Sequence, residues 1–201
     1  MSERLAADPA GIARTTSHVR AGDLVALPTD TVYGIGCRAD DVGALARLFA
    51  VKRRPGDKAV PWLVASAAEI VARGFVMDQR AESLATRFWP GALTMVLRAA
   101  DGTRTQAFRM PDHPVALALL RETGAMAVSS ANRSGEPETY DADDVAIAFA
   151  DTDELEAILD AGRVPGGVDS TVLDLSSERP VLRREGPVSR AGLESVIGPI
   201  D

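Results

Sequence analysis

The chain has 201 residues, of which 46% are hydrophobic and 25% are charged, a balance typical of a globular protein with a sizeable core. Its 22 basic and 29 acidic side chains give a net charge of −7, so a polyphosphate is repelled unless basic side chains gather locally. One cysteine and two histidines exclude a disulfide framework and a Cys/His zinc site. Without a long apolar run or a leader-like start, we expect one soluble, cytoplasmic domain over 1–201 with no membrane contact.

Strand and helix patterns alternate along the first half of the chain. The apolar run 24–27 predicts a buried strand, and His18 is expected to face solvent on a helix before it. Asp40 or Asp41 suits the cap of a helix that ends by Pro55. The further predicted elements are a strand at about 60–64, helices near 67–73 and 79–88, and a strand at 92–98.

The alternation continues in the second half of the chain. The pattern predicts strands at 105–110, 125–129 and 157–159, with helices at 115–122 and 143–149 between them. Two strands follow at 170–175 and 181–184, close enough for an antiparallel hairpin, before a helix near 190–196. The sequence therefore predicts an α+β fold in which helices cover a mixed sheet.

Four polar segments interrupt this scaffold where strands end, at 28–36, 52–58, 129–135 and 166–171. The second carries four basic residues and Asp57, a local charge of +3 in an acidic molecule. It suits an anion cradle, although cations at a helix C-terminus that face water would read the same way. Neither GxxxxGK[ST] nor GxGxxG occurs, so a bound nucleotide would be held differently.

The other polar segments offer hydroxyl, amide and guanidinium groups, but ordinary turns use the same residue types. Arg109 could clamp a carboxylate or lie at a sheet edge, and Arg184 needs an anionic partner only if it is buried. Cys37 is expected to be a small buried side chain, and His113 a polar turn residue with no nucleophile motif beside it.

Six ordered fragments, PTDTVYGIG, KRRPGDK, RMPDHP, SSANRSG, DSTVLD and LRREG, closely resemble the YrdC-like threonylcarbamoyl-AMP synthase family over about 24–186. The resemblance implies a twisted, open mixed sheet flanked by helices, with a concave basic face. It also implies an enzyme that condenses L-threonine, bicarbonate and ATP into threonylcarbamoyl-AMP and pyrophosphate. A separate transferase complex would then modify the tRNA adenosine beside the anticodon.

Site residues follow from the resemblance, residue by residue. Lys52 and Arg54 would be the catalytic, phosphate-binding pair. The remaining ATP-binding residues would be Lys58, Thr105, Ser130, Asn132 and Arg184, and threonine would be held by Thr31, Arg109 and Ser170. Mg²⁺ would arrive with ATP, because no carboxylate cage is visible in the sequence, and no enzymic nucleophile is required.

Two positions depart from the family pattern. Leu63 stands where some members carry a histidine, and Glu138 where some carry a serine, so those contacts do not transfer. Larger relatives also append a second domain, so closure of the site here would fall to a loop or the tail. A non-catalytic RNA-binding module remains the alternative function, with tRNA contact through the basic segment, although the acidic net charge and few aromatic residues disfavour it.

Overall fold

One mixed sheet runs through the part of the chain that the computed structural model describes, residues 2–53 and 60–201. Its ten strands in this part are β1 (Glu3–Ala6), β2 (Leu24–Leu27), β3 (Gly34–Arg38), β4 (Trp62–Leu63), β5 (Leu93–Arg98), β6 (Thr105–Arg109), β7 (Met126–Ser130), β8 (Leu155–Asp160), β9 (Thr171–Asp174) and β10 (Val181–Arg184). The helices are α1 (Pro9–Ala21), α2 (Val42–Val51), α3 (Ala67–Ala72), α4 (Gln79–Phe88), α5 (Pro114–Thr123), α6 (Ala142–Ala148) and α7 (Arg190–Ile197).

The strands lie in the order β1-β8-β2-β3-β7-β4-β6-β5-β9-β10. Four neighbouring pairs are parallel, β1 with β8, β2 with β8, β4 with β6 and β5 with β9. The other pairs are antiparallel, including the predicted hairpin of β9 and β10. The prediction of a mixed, open sheet is therefore confirmed.

Helices cover both faces of the half of the sheet around β2. Leu24 and Ala26 pack with α2 and α6, whereas Val25 and Leu27, which alternate with them, pack with α1 and α5. A strand buried on both faces must be apolar at every position, and all four residues of β2 are buried. This accounts for the uninterrupted apolar run in the sequence.

The half of the sheet around β5 is covered on one face by α3, α4 and α7. Leu93, Met95 and Leu97 point into that core. The intervening Thr94 and Val96 face the opposite side, where they line an open cavity. Successive side chains of a strand point to opposite faces, so the fold itself leaves one face of this half of the sheet available to a ligand.

Most helices begin where a short polar side chain caps them. The side-chain oxygen of Asp41 accepts a hydrogen bond from the backbone N–H of Ala44 at 2.9 Å, and Asp78 does the same for Ala81 at 3.0 Å. Such caps satisfy backbone donors that the first helical turn leaves free. Asp41, rather than Asp40, is the cap of α2, and the helix ends at Val51, before Pro55.

The structure corrects three sequence predictions. Strands β1 and β3 were not predicted, because β1 is largely exposed and β3 begins within the polar segment 28–36, whose glycines suit either a turn or a close approach of the backbone. The strand expected at 60–64 is only Trp62–Leu63. His18 does not face solvent: its side chain is 16% exposed and hydrogen-bonds the carboxylates of Asp23 and Glu3.

Candidate functional site

A cavity of about 400 Å³ lies on the uncovered face of the sheet. Residues of β3, β4, β5, β6, β7, β9 and β10 line it, together with the segment after β2 and the residues just before β9. Three arginines and one aspartate are the charged residues in this lining: Arg109, Arg183, Arg184 and Asp169. The cavity is therefore locally basic in an acidic protein, and its volume suits a small-molecule ligand.

Arg109 projects from the end of β6 and is 7% exposed. Its guanidinium donates to the backbone oxygen of Gly91 at 3.1 Å, to Thr31 Oγ1 at 3.3 Å and to Asp30 Oδ1 at 2.6 Å. Thr31 is held in turn by Thr29, whose hydroxyl lies 3.1 Å from its own. Two of the three predicted threonine-binding residues, Thr31 and Arg109, are thus in direct contact.

The third, Ser170, lies across the cavity beside β5 and β10. Its hydroxyl shares a hydrogen bond with Thr94 Oγ1 at 2.8 Å. Arg184 donates from Nε to the backbone oxygen of Ser170 at 3.0 Å and also pairs with the carboxylate of Asp169. The Arg184 side chain is 45% exposed, the case in which no anionic partner was required, yet its pair with Asp169 joins the end of β10 to the segment that carries Ser170.

Ser130 ends β7 at the cavity, and its hydroxyl donates to Asn132 Oδ1 at 2.6 Å. The amide of Asn132 donates to the backbone oxygen of Glu136 at 2.6 Å, which closes the turn after β7. Lys52, only 3% exposed, lies behind this turn and donates to the backbone oxygens of Ser130 and Asn132. The structure thus brings Lys52, Ser130 and Asn132 together, with Lys52 behind the turn and Ser130 at the cavity.

The remaining predicted residues contribute less to the described geometry. Thr105 is exposed at the start of β6 and does not line the cavity, although it lies on the same face of the strand as Ala107 and Arg109, which do. Arg54 and Lys58 lie outside the described residues. Arg53, next to Lys52, is 70% exposed and pairs with Asp151.

Sequence reasoning missed three polar residues of this region: Asp30, Thr94 and Asp169. Thr94 lies within the strand predicted at 92–98, and a hydroxyl in a buried strand is itself a signal for a hydrogen-bond partner. Asp169 and Arg184 also bear on Glu138: burial and the Asp169 charge raise the pKa of the Glu138 carboxyl, while Arg184 opposes this. Glu138 therefore lies close enough to Asp169, which lines the cavity, for the two charges to interact.

Two further side chains carry potentially reactive groups, and burial disfavours the charged form of each. Cys37 is buried in β3, and burial raises the pKa of its thiol to about 12, which keeps it protonated and poorly nucleophilic. His113 stands immediately before α5, and burial lowers the pKa of its ring. In the described residues, no group of three His, Cys, Asp or Glu side chains could hold a metal ion, and no helix is long and apolar enough to cross a membrane.

Known proteins resemble this chain in sequence. Residues 17–186 match the Sua5/YciO/YrdC family model, which is described as telomere recombination. The chain belongs to this family. A threonylcarbamoyl-AMP synthase of Bacillus subtilis is 38% identical over 100% of the chain and 60% of its own length. A putative threonylcarbamoyl-AMP synthase of Mycobacterium tuberculosis is 42% identical over 94% of the chain and 89% of its own length.

Solved structures agree with the family assignment and with the fold class. A Pyrococcus abyssi Sua5 variant superposes with a TM-score of 0.90 at 37% identity, over 100% of this chain and 61% of its own. The same protein complexed with L-threonine gives a TM-score of 0.88 over 62% of its length. Escherichia coli YciO, matched over 93% of this chain and 97% of its own, gives 0.81 at 25% identity. This family member thus spans about three fifths of the B. subtilis and P. abyssi relatives.

Proposed function

We propose that the protein is an L-threonylcarbamoyladenylate synthase, a nucleotidyltransferase that joins L-threonine, bicarbonate and ATP into threonylcarbamoyl-AMP and pyrophosphate. One observation carries the proposal: a single cavity is lined by all three predicted threonine-binding residues, Thr31, Arg109 and Ser170, and by Ser130 and Arg184 of the predicted ATP-binding set. The names of the full-length relatives and the threonine complex of P. abyssi Sua5 support it.

Arg109 is the group best placed to hold the amino-acid carboxylate. It is buried and already positioned, and a guanidinium matches a carboxylate with two parallel hydrogen bonds. The hydroxyls of Thr31 and Ser170 would bind the polar groups of threonine, with Leu63 and Val128 as apolar wall. This arrangement suits a small amino acid held at both a charged and an apolar end.

The nucleotide would lie beside it, over Ser130, Asn132 and Arg184, with Thr105 further along β6. Lys52, Arg54 and Lys58 would form its phosphate end. Mg²⁺ would enter as the ATP complex and offset phosphate charge; oxygen ligands from the phosphates suit it, because the described residues contain no carboxylate cluster. The chain's own contribution is then to bind, align and shield the two substrates.

The reaction needs no enzymic nucleophile. The threonine amine attacks the carbon of CO₂ or bicarbonate and a C–N bond forms. With CO₂ the amine releases a proton to solvent, whereas with bicarbonate that proton leaves with the displaced hydroxide as water. A carbamate oxygen then attacks the α-phosphorus of ATP, and the bond to the pyrophosphate leaving group breaks. Positive groups held in place before the reaction stabilise the charge that develops on the phosphates. The inert Cys37 is consistent with this scheme.

The product is a mixed anhydride that water would hydrolyse, so it must be passed on promptly. We propose that a tRNA-modifying transferase complex consumes it in the cytoplasm, and that tRNA contact by this chain, where it occurs, uses the basic segment 52–58.

Pyrophosphate release by the purified protein tests the proposal. We expect release that requires ATP, threonine and bicarbonate together, with threonylcarbamoyl-AMP detected by mass spectrometry. Arg109→Ala should lower it strongly, whereas Arg38→Ala, at an arginine paired with exposed Asp40 outside the cavity, should not. Absence of release from the wild type, combined with salt-sensitive tRNA binding without ATP, would instead support the RNA-binding module.

A further inference from the structure

A buried ion pair stands directly behind the cavity. Asp30 Oδ1 lies 2.6 Å from Arg109 Nη2, and the two side chains are 15% and 9% exposed. Asp30 does not itself line the cavity, whereas Arg109 and Thr31 do. Its carboxylate therefore contacts the guanidinium without forming part of the cavity lining.

Three acceptors from two separate parts of the chain fix this guanidinium. The Asp30 carboxylate and the Thr31 hydroxyl follow β2, and the Gly91 carbonyl precedes β5. A guanidinium has five N–H groups. The three acceptors take one from each nitrogen, so among the described residues one N–H remains on each terminal nitrogen. A bidentate contact with a ligand carboxylate requires two such N–H groups.

The contact with Asp30 affects both the charge and the mobility of the Arg109 side chain. A buried cation without a partner is costly, and a long arginine side chain loses rotamer freedom when it is immobilised by a ligand. Asp30 offsets the charge of Arg109 and orders its side chain before any ligand arrives. Binding to an ordered group forfeits less free energy than binding to a mobile one.

We propose that Asp30 is a positioning residue for the amino-acid substrate: it holds Arg109 so that the remaining N–H groups meet the substrate carboxylate. The inference rests on the proposed function and deepens it. Asp30 acts on the substrate only through Arg109. Its removal should therefore lower the affinity for the amino acid and leave the affinity for the nucleotide nearly unchanged. A carboxylate that merely competed with the substrate for Arg109 would have the opposite effect.

The experiment compares Asp30→Asn, Asp30→Ala and the matched control Asp40→Asn, an exposed aspartate that pairs with Arg38. Threonine affinity is measured by calorimetry with a non-hydrolysable ATP analogue, and the KM values of threonine and ATP by pyrophosphate release. For Asp30→Ala we expect the threonine KM to rise by about 10- to 100-fold, the range for a lost hydrogen bond to a charged group. The ATP KM should stay within about threefold.

Asp30→Asn should fall between wild type and Asp30→Ala, because the amide oxygen still accepts a hydrogen bond but the charge is gone. If Asp30→Ala does not fold, Asp30→Asn alone tests the proposal. In an Arg109→Lys background, Asp30→Asn should change the threonine KM less than in the wild type, because Asp30 acts through the guanidinium.

The outcomes separate the two claims. A wild type with threonine-dependent release, and Asp30→Asn with equal or tighter threonine affinity, overturns the positioning role alone. Equal rises in both KM values overturn it as well, because a general structural role would move both. A wild type that neither binds threonine nor releases pyrophosphate overturns the proposed function, and the inference with it.

Discussion

The ammonium nitrogen of Lys52 lies 2.6 Å from the backbone oxygen of Asn132, 80 residues further along the chain. It also donates to the backbone oxygen of Ser130, whose side chain reaches the cavity. A lysine at the end of α2 thus supports the turn that was predicted to hold ATP. In the described geometry, one role of Lys52 is to support this turn.

Lys52→Met should therefore weaken both stability and nucleotide binding. Two buried carbonyls lose a charged donor, and each unsatisfied group costs about 1–3 kcal/mol, so the Tm should fall by several degrees. The affinity for AMP should fall because the turn supports the nucleotide, and the affinity for ATP should fall further because Lys52 is also proposed to form the phosphate end. Calorimetry with each nucleotide and thermal melts check this.

Arg53→Met is the matched control, since Arg53 is the next residue and is exposed. It should leave both nucleotides and the Tm nearly unchanged. A loss confined to ATP in Lys52→Met, with an unchanged Tm, would contradict the supporting role and leave Lys52 with the phosphate role alone.

Local patterns predicted the elements well where one face of each is buried. Helix α4 occupies Gln79–Phe88, the predicted range, with its cap at Asp78. Residues 28–36 were predicted only as a polar segment after a strand, because Gly34 and Gly36 suit either a turn or a close approach of the backbone. The segment Gly34–Arg38 pairs with β7 as strand β3, and at Gly34 and Gly36 the neighbouring strand lies too close to leave room for a Cβ atom. Strand β7 lies about 90 residues further along the chain, so the sequence around β3 alone does not reveal the pairing.

The same limit applies to the site. The polar segments and their order indicated which residues to consider, and the structure brings Thr31, Arg109, Ser170, Ser130 and Arg184 to one cavity. Asp30 and Thr94 were not candidates, because their importance lies in the partners that folding brings to them. The roles assigned to these residues stay predictions until ligands are measured.

Thr94→Val tests the support of Ser170. The change keeps the shape of the side chain but removes the hydroxyl that lies 2.8 Å from Ser170 Oγ. We expect the threonine KM to rise by about 3- to 30-fold, which corresponds to one neutral or partly charged hydrogen bond. Kinetics with threonine and ATP varied separately check this.

A matched control is available on the same strand. Val96→Thr introduces a hydroxyl two residues further along the same face of β5, where it has no Ser170 to meet. An equal rise in the threonine KM for both variants would show that the cavity responds to any change on β5, and would contradict the specific role of Thr94.

Gly36→Ala should destabilise the protein without any ligand. A Cβ at this position would lie 2.6 Å from the backbone oxygen of Ala127 and 2.7 Å from Val128 Cγ2, so β3 and β7 would have to move apart. Overpacking of this kind costs about 1–3 kcal/mol. Urea unfolding measures the loss.

Gly43→Ala provides the comparison. Gly43 is exposed near the start of α2, and a Cβ there would meet nothing closer than Asp41 Oδ1 at 3.5 Å. A helical glycine with free space gains about 0.4–1 kcal/mol when replaced by alanine. The two substitutions should therefore have opposite signs, and a stabilising Gly36→Ala would contradict the close approach of β3 and β7.

The two histidines should shift stability with pH in opposite directions. Partial burial opposes protonation of His18, but hydrogen bonds to Asp23 and Glu3 outweigh it and raise the pKa of the ring, with Arg14 opposing. Its stabilising contribution is then fully present below the unfolded pKa and is lost as pH rises through the folded pKa. Burial lowers the pKa of His113, although Asp30 and Asp112 oppose this, so its ring disfavours folding as pH falls.

Thermal melts at about pH 5.5 and about pH 8.5, on either side of the unperturbed histidine pKa, separate these contributions. His18→Gln should lower the Tm more at the acidic pH, because the protonated ring then bridges Glu3 and Asp23. The Tm of His113→Gln relative to that of the wild type should be higher at the acidic pH than at the basic one, because glutamine removes the buried ring that resists protonation. Equal Tm shifts at both pH values for His18→Gln would mean that the ring contributes by packing and neutral hydrogen bonds alone.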